Sequence, residues 1–130
     1  MYCLLEIYHK KIKGYDVKKI LILSLISMGI GHVAYAETLI PRSMAGDKGK
    51  YYLIESKRSG NVVTAVHKRI GVYDTYYTKT ETYCSTMKMR EIGGSDVSVK
   101  AIKVNPTKWF DLVPGSSKSD LANFVCKKNK

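Results

Sequence analysis

The sequence has 130 residues, with 22 Lys and Arg against 11 Asp and Glu, for a formal net charge of +11. A chain of this length forms one domain at most. Because 45% of its residues are hydrophobic and 25% are charged, wholesale disorder, a collagen-like repeat and a multi-span membrane protein are excluded. The composition is that of a small, basic, globular protein.

An export signal is predicted near the start of the chain. Two lysines precede the uncharged apolar stretch 20–30, and small residues follow at Ala34 and Ala36. A basic flank, a short apolar run and small residues at the −3 and −1 positions are typical of a secretory signal peptide. A membrane-spanning helix would need ~20 apolar residues. We therefore predict cleavage after Ala36.

The predicted cleavage divides the chain into a signal peptide with an extended N-terminal region, residues 1–36, and one exported domain, residues 37–130. A retained membrane anchor and a buried core helix are the alternatives for the apolar stretch. Translation from Val17 would give a compact signal. The residue directly after the cleavage point is Glu37 and not a cysteine, so no lipid attachment is predicted. The expected location is periplasmic or secreted.

A disulfide between Cys84 and Cys126 is predicted, because these are the only cysteines of the exported part and that compartment is oxidising. The bond would close a loop of 42 residues, worth at most about 4 kcal/mol by chain entropy. A metal site or a catalytic thiol is the alternative. With His67 as the only histidine after residue 36 and no closely spaced cysteine pair, we predict neither metal nor cofactor.

The first half of the exported part predicts β-strands. Residues 50–56 are rich in Tyr, Leu and Ile, and residues 62–67 are β-branched, so they form a hairpin around a turn at 57–61. Residues 75–84 alternate Tyr, Thr and charged side chains and form a further strand. A bulge or a bend near Ser85 is expected, after which the strand runs on to the two glycines at 93 and 94, which end it.

The second half predicts two shorter strands and a helix. Residues 97–101 alternate apolar and polar side chains, and residues 109–113 form a short last strand. After the turn at 114–117, Leu121, Phe124 and Val125 share one helical face, and Ser117 is the expected cap. Lysines near the end of the helix favour its C-terminus.

These elements predict an α+β domain, an antiparallel sheet of about five or six strands with a C-terminal helix packed on one face. The first two strands are apolar on both faces, so a second covering layer is expected. Either a homodimer or the segment 37–49 would supply that layer.

The basic excess offers the clearest indication of a partner. Lys57, Arg58, Lys68 and Arg69 form two adjacent pairs and are our candidate ligand-binding patch. Outside the cytoplasm a positive surface attracts acidic proteins, polysaccharides or anionic lipids, and nucleic acid is less available there. No catalytic motif is found. A hydrolase built around His67 is kept only as an alternative.

One group of residues carries a family resemblance. In chain order they are Cys84 at the end of a Tyr/Thr-rich strand, residues 87–90 (Met-Lys-Met-Arg), Trp109, residues 114–116 (Pro-Gly-Ser) and Cys126 at the end of the terminal helix. Together with the signal peptide, this pattern resembles the surface-adhesin protein E family of Gram-negative bacteria, over roughly residues 50–127.

The resemblance implies a small antiparallel sheet with a packed helix, in a protein that forms dimers and binds host extracellular-matrix and serum proteins. It carries over Cys84, Cys126, Trp109, Gly115 and Ser116 as structural residues and transfers no ligand-binding residue. The missing lipid-attachment cysteine favours a periplasmic or released protein over one displayed at the cell surface.

The leading hypothesis is therefore an exported, non-enzymatic, adhesin-like binding module that uses a basic surface. The alternative is a periplasmic envelope protein or enzyme inhibitor, although a basic lysozyme-type target would be repelled.

Overall fold

The computed structural model of the chain describes residues 36–130, so the predicted signal peptide up to residue 35 lies outside the described residues. The described part contains six strands and one helix: β1 Thr38–Leu39, β2 Lys50–Ser59, β3 Val62–Ile70, β4 Thr75–Tyr83, β5 Lys88–Ser95, β6 Phe110–Asp111 and α1 Ser117–Lys128. The strands form one antiparallel sheet in sequence order. The predicted α+β fold is confirmed.

The first hairpin is longer than predicted. Strand β2 continues to Ser59, which pairs with Val62, so the turn consists of Gly60 and Asn61 alone. Gly60 has a φ of 60°, and a glycine at the first central position is what a tight two-residue hairpin turn of type II′ needs. The predicted turn at 57–61 was therefore too wide, because its charged residues belong to the strand.

The region after β4 contains a chain reversal that we did not predict. The chain turns at residues 84–87, with Met87 in the left-handed region at a φ of 52°, and β5 returns antiparallel to β4. The expected continuation of one strand to residue 94 is wrong, and the bulge or bend expected near Ser85 is instead a full reversal of the chain. Gly93 lies inside β5 instead of ending a strand, and glycine is needed there because a Cβ would strike the Lys103 carbonyl oxygen.

The predicted strand at 97–101 is also wrong. Val99–Ala101 form a 3₁₀ turn, and side chains take up the local backbone donors. The Ser95 hydroxyl accepts from the Val97 N–H at 3.0 Å, and the Ser98 hydroxyl accepts from the Ala101 N–H at 3.2 Å. Such local hydrogen bonds compete with a strand ladder, and alternation of side chains alone does not reveal them.

The hydrophobic core lies between the sheet and α1. Its buried members are Ile40, Leu53, Val63, Ala65, Met89, Leu121, Ala122 and Val125. We call the side of the sheet that carries Leu53, Val63 and Met89 the helix face, and the opposite side the open face. In the described part of the chain, no helix is long and apolar enough to cross a membrane.

Two features hold α1 on the helix face. The predicted disulfide is confirmed: Cys84 and Cys126 are bonded, with their Cα atoms 5.7 Å apart. At the other end of the helix the cap is Ser116 rather than the predicted Ser117, and its hydroxyl accepts from the Ser119 N–H at 3.1 Å. The helix is thus fixed at its first turn and near its last.

We call residues 36–49 the arm; its residues 40–43 pack on the same side as the helix, while Glu37 pairs with Lys68, whose side chain lies on the open face. Ile40 enters the core, and the Asp120 carboxylate on α1 accepts from the Ser43 hydroxyl at 2.6 Å and from Arg42 Nε at 2.8 Å. The arm therefore does not supply the second layer that we expected over the open face. The homodimer stays a prediction.

Candidate functional site

The four basic residues predicted as one patch do not lie together. Side chains alternate between the two faces along a strand, so Lys57 and Lys68 belong to the open face and Arg58 and Arg69 to the helix face. Arg58 pairs across the hairpin with Val63, near the turn, whereas Arg69 pairs with Tyr51 at the far end of β2. Adjacency in the sequence therefore gives no common surface here.

The second pair of these residues is engaged in ion pairs with the chain itself. Lys68 Nζ lies 2.6 Å from a Glu37 carboxylate oxygen, and Arg69 lies 2.8 Å from Asp47 and 3.6 Å from Asp74. The pKa of Asp47 is held well below its usual value, first by its hydrogen bond with Arg69 and then by the hydroxyl of Tyr51. These cations hold the arm and the β3–β4 turn together.

Arg58 differs because its guanidinium meets only neutral acceptors. Its Nε donates to the Gly60 carbonyl at 2.9 Å and its Nη1 donates to the Asn129 carbonyl at 3.2 Å. Within residues 36–130 no carboxylate lies within ion-pair distance of it. The two carbonyls orient the side chain but leave its positive charge available.

A cavity of about 500 Å³ lies beside Arg58, between the β2–β3 turn and the end of α1. Its charged lining residues are Arg58, Lys127 and Lys130, and none of its lining residues is acidic. The remaining lining residues are neutral: Asn61, Cys84, Ser85, Asn123 and Cys126. We call this feature the cationic cavity.

The fold builds the cationic cavity by bringing three separate segments together. The disulfide between Cys84 and Cys126 forms part of its wall, and the Cys84 N–H donates to the Asn61 carbonyl at 2.9 Å, which joins the two turns. At the end of the helix, the Asn129 amide donates to the Ser56 hydroxyl at 3.0 Å. The disulfide and these hydrogen bonds therefore fix the segments that carry the three cations relative to one another; we call these linked segments the frame of the cavity.

The sequence contained a signal for this site that we did not use. Lys127 follows Cys126, so the predicted disulfide already placed this lysine near Cys84. We had assigned the terminal lysines only to the helix C-terminus, where cations are favourable. The hairpin turn that brings Arg58 beside Cys84 required the correct end of β2, which we had placed too early.

His67 is buried under the helix face, with 9% of its surface exposed. Desolvation lowers its pKa to about 4; the charge of Glu91 opposes this shift and that of Lys118 adds to it. Its Nδ1 has no hydrogen-bond partner among residues 36–130. In the described structure, no Ser–His–carboxylate arrangement is hydrogen-bonded around this ring.

The residues that carry the family resemblance occupy structural positions. The Trp109 ring lies over the Arg90 guanidinium at 4.9 Å and meets Tyr83 edge-on at 6.2 Å. Gly115 has a φ of 82°, and a Cβ there would collide with the Met44 side chain. With Ser116 as the helix cap, these residues shape the approach to α1.

Comparisons with protein-family models, with curated proteins and with solved structures give no match for this chain. The fold and the site define its class on their own terms: a small, disulfide-linked α+β domain with a cationic cavity at one end. A disulfide is typical of proteins outside the cytoplasm, which agrees with the predicted location of this domain.

Proposed function

We propose that this chain is an exported, non-enzymatic binding domain that holds an acidic macromolecule at its cationic cavity. The observation that carries the proposal is the absence of any acidic residue from the lining of a 500 Å³ cavity that presents Arg58, Lys127 and Lys130. In a chain that pairs its other arginines internally, three uncompensated cations around one concavity favour an anionic ligand.

The frame around the cavity supports recognition as well as attraction. Uncompensated charge raises the rate of encounter with a partner of opposite sign. The disulfide and the Asn129–Ser56 hydrogen bond hold the lining segments before any ligand arrives, so less ordering entropy is lost on binding. Arg58 presents a planar fork that matches carboxylate or sulfate oxygens.

The resemblance to the surface-adhesin protein E family adds an adhesive role to this proposal. In that role the partner is a host extracellular-matrix protein or another acidic macromolecule, and the revised contact residues are Arg58, Lys127 and Lys130. Lys68 and Arg69 leave the candidate set because their charges are already paired with Glu37 and Asp47.

The test is a binding assay on the full chain, produced in the periplasm of an expression host so that the disulfide forms. Heparin and poly-L-glutamate serve as polyanion probes, and a panel of immobilised extracellular-matrix proteins serves as the biological set. We expect saturable binding that weakens with salt. A variant with Arg58→Gln, Lys127→Gln and Lys130→Gln should lose affinity about tenfold or more.

The matched control removes the same charge elsewhere. Lys100, Lys103 and Lys108 are exposed, lie outside the cationic cavity and form no ion pair within residues 36–130, so their change to Gln should leave binding within about threefold of the parent value. Equal losses in the two triple variants would show that net charge alone is responsible. Absence of binding to every probe would reject the proposed function.

A further inference from the structure

The outer edge of β2 is only partly covered by β1. Thr38 and Leu39 pair with Leu53 and Tyr52, and the Ile40 N–H donates to the Tyr51 carbonyl at 2.8 Å. Beyond that point, residues 55–59 of β2 pair only with β3 on their inner side within the described residues, and Ile54 lies in a register shift between them and Leu53. Six residues of β2 therefore have no neighbouring strand on their outer side within residues 36–130.

An uncovered edge of this kind is a template for another strand. Alternate residues direct their backbone N–H and C=O groups away from the sheet, and proteins usually guard such edges with charged side chains. Lys57 and Arg58 are exposed on this segment and would discourage pairing with a neutral or basic chain. Their charge does not discourage an acidic one.

Cavities flank this edge on both faces of the sheet. On the helix face lies the cationic cavity, which includes Arg58. On the open face lies a cavity of about 280 Å³, lined by Lys57 and Lys79 on either side of Thr64 and Val66. Its one acidic lining residue is Glu55. Each face of the edge therefore offers a concavity with an excess of positive charge.

The geometry of a strand connects the two cavities. Consecutive side chains of an added strand would point to opposite faces, so one residue would approach Lys57 on the open face and the next would approach Arg58 and Lys127 on the helix face. Backbone hydrogen bonds would supply affinity, and the two cavities would read alternate side chains. An acidic peptide in extended form satisfies both requirements at once.

We propose that the segment 54–59 of β2 binds an extended acidic peptide by strand addition, with the peptide's side chains reaching both cavities. This inference rests on the proposed function, because it uses the cationic cavity as one of the two contact surfaces. It goes further by specifying the ligand as a polypeptide in β conformation, bound through its backbone as well as its charge.

Fluorescence anisotropy with labelled peptides tests the inference on the full, disulfide-bonded chain. The parent probe is a nine-residue peptide in which pairs of consecutive Glu alternate with pairs of Thr or Val, so that each face of the added strand carries Glu. Two further probes have the same sequence and charge but carry N-methyl groups on odd-numbered or on even-numbered amides. Strand addition uses the amides of only one set, so we expect one methylated peptide to bind about tenfold more weakly and the other to match the parent.

Amide hydrogen exchange gives a second readout that does not depend on variants. Binding of the parent peptide should slow exchange at alternate residues of the segment 54–59, because only alternate N–H groups face outward. The charge-matched peptide that binds weakly should leave exchange there unchanged.

The Arg58→Gln, Lys127→Gln and Lys130→Gln variant should bind the parent peptide more weakly and keep its preference between the two methylated forms.

The outcomes separate this inference from the proposed function. If both methylated peptides bind like the parent while the triple variant binds more weakly, strand addition is wrong and the cationic cavity still binds acidic ligands. Strand addition is equally wrong if heparin binds and the peptide does not, since the partner is then a polysaccharide. If neither probe binds, both the inference and the proposed function fail.

Discussion

The two ends of the helix face use positive charge in opposite ways. At the arm end, Arg42 lies 2.8 Å from Asp120 and Arg69 lies 2.8 Å from Asp47, so each arginine is neutralised by an acid of the same domain. At the end that holds the β2–β3 turn, Arg58 meets only carbonyl oxygens. Both ends carry arginines, so the position of the acids, rather than that of the cations, decides which end keeps unpaired positive charge.

The largest effect should come from removing the covalent link at the turn end. Replacing both cysteines with Ala, Cys84→Ala and Cys126→Ala, should lower the free energy of unfolding by up to about 4 kcal/mol, because the unfolded chain regains the freedom of a 42-residue loop. Urea unfolding of the oxidised parent and of the variant measures the difference. Equal stability would show that packing alone fixes the helix.

The next effect should come from the arm end. Asp120→Asn leaves the half-buried Arg42 with only its long ion pair to Asp47 at 3.9 Å and weakens the hydrogen bonds from Ser43, which should cost about 3 kcal/mol. Asp111→Asn is the control, because Asp111 is exposed and its ion pair with Lys88 is long at 3.6 Å, so we expect less than about 0.5 kcal/mol. If the two variants lost similar amounts of unfolding free energy, the ion pair of Asp120 would stabilise the fold no more than the exposed ion pair of Asp111.

A pH-dependent effect of intermediate size should come from His67, which lies between the two ends. Its pKa falls from 6.5 to about 4 on burial, so the folded state disfavours the protonated ring. Stability should be complete above pH 6.5, fall as the pH drops towards 4, and be about 2 kcal/mol lower at pH 5. Asp47 and Asp120 have lowered pKa values and should lose their contributions only below the ordinary carboxyl value.

Chemical unfolding at pH 7 and at pH 5 measures this dependence. His67→Gln should remove most of the difference between the two pH values, whatever its own cost at pH 7. A parent protein with the same stability at both values would mean that the imidazole is solvated in the folded state, and the account of the buried ring would be wrong.

The smallest effect on stability should come from the cationic cavity itself. The Arg58→Gln, Lys127→Gln and Lys130→Gln variant should unfold within about 0.5 kcal/mol of the parent at pH 7, because these cations have no carboxylate partner in residues 36–130 to lose. Arg69→Gln should cost more, since it frees both Asp47 and Asp74. Thermal unfolding of the two variants measures this order. A lower melting temperature for the triple variant than for Arg69→Gln would contradict the comparison between the two ends.

Sequence reasoning succeeded where the signal was local or arithmetic. Two cysteines left a single possible bond, and the alternation of Tyr and Thr with charged residues over 75–84 predicted β4, which spans Thr75–Tyr83. It failed where a chain reversal depended on backbone conformation that sequence does not display. Met87 adopts a left-handed φ without being glycine, so the pattern indicated a bulge or a bend near Ser85 but not a reversal between β4 and β5.

The candidate site was missed for a related physical reason. A cluster of charges is a property of three-dimensional distance, and Lys68 and Arg69 were neutralised by Glu37 and Asp47, about 20 to 30 residues earlier in the chain. Arg58 and Lys127 lie far apart in sequence and meet only because the disulfide and the tight turn bring their segments together. Pairing partners, rather than residue type, decided which cations remained available.

The measurement that tests the central claim most directly is an NMR titration of the ¹⁵N-labelled protein with poly-L-glutamate at physiological salt. The account predicts that amide shifts concentrate at the cationic cavity, on Arg58, Asn61, Asn123 and Lys127, while the arm around Asp47 stays unchanged. Shifts centred on Lys68 and Arg69, or spread evenly over all lysines, would contradict it.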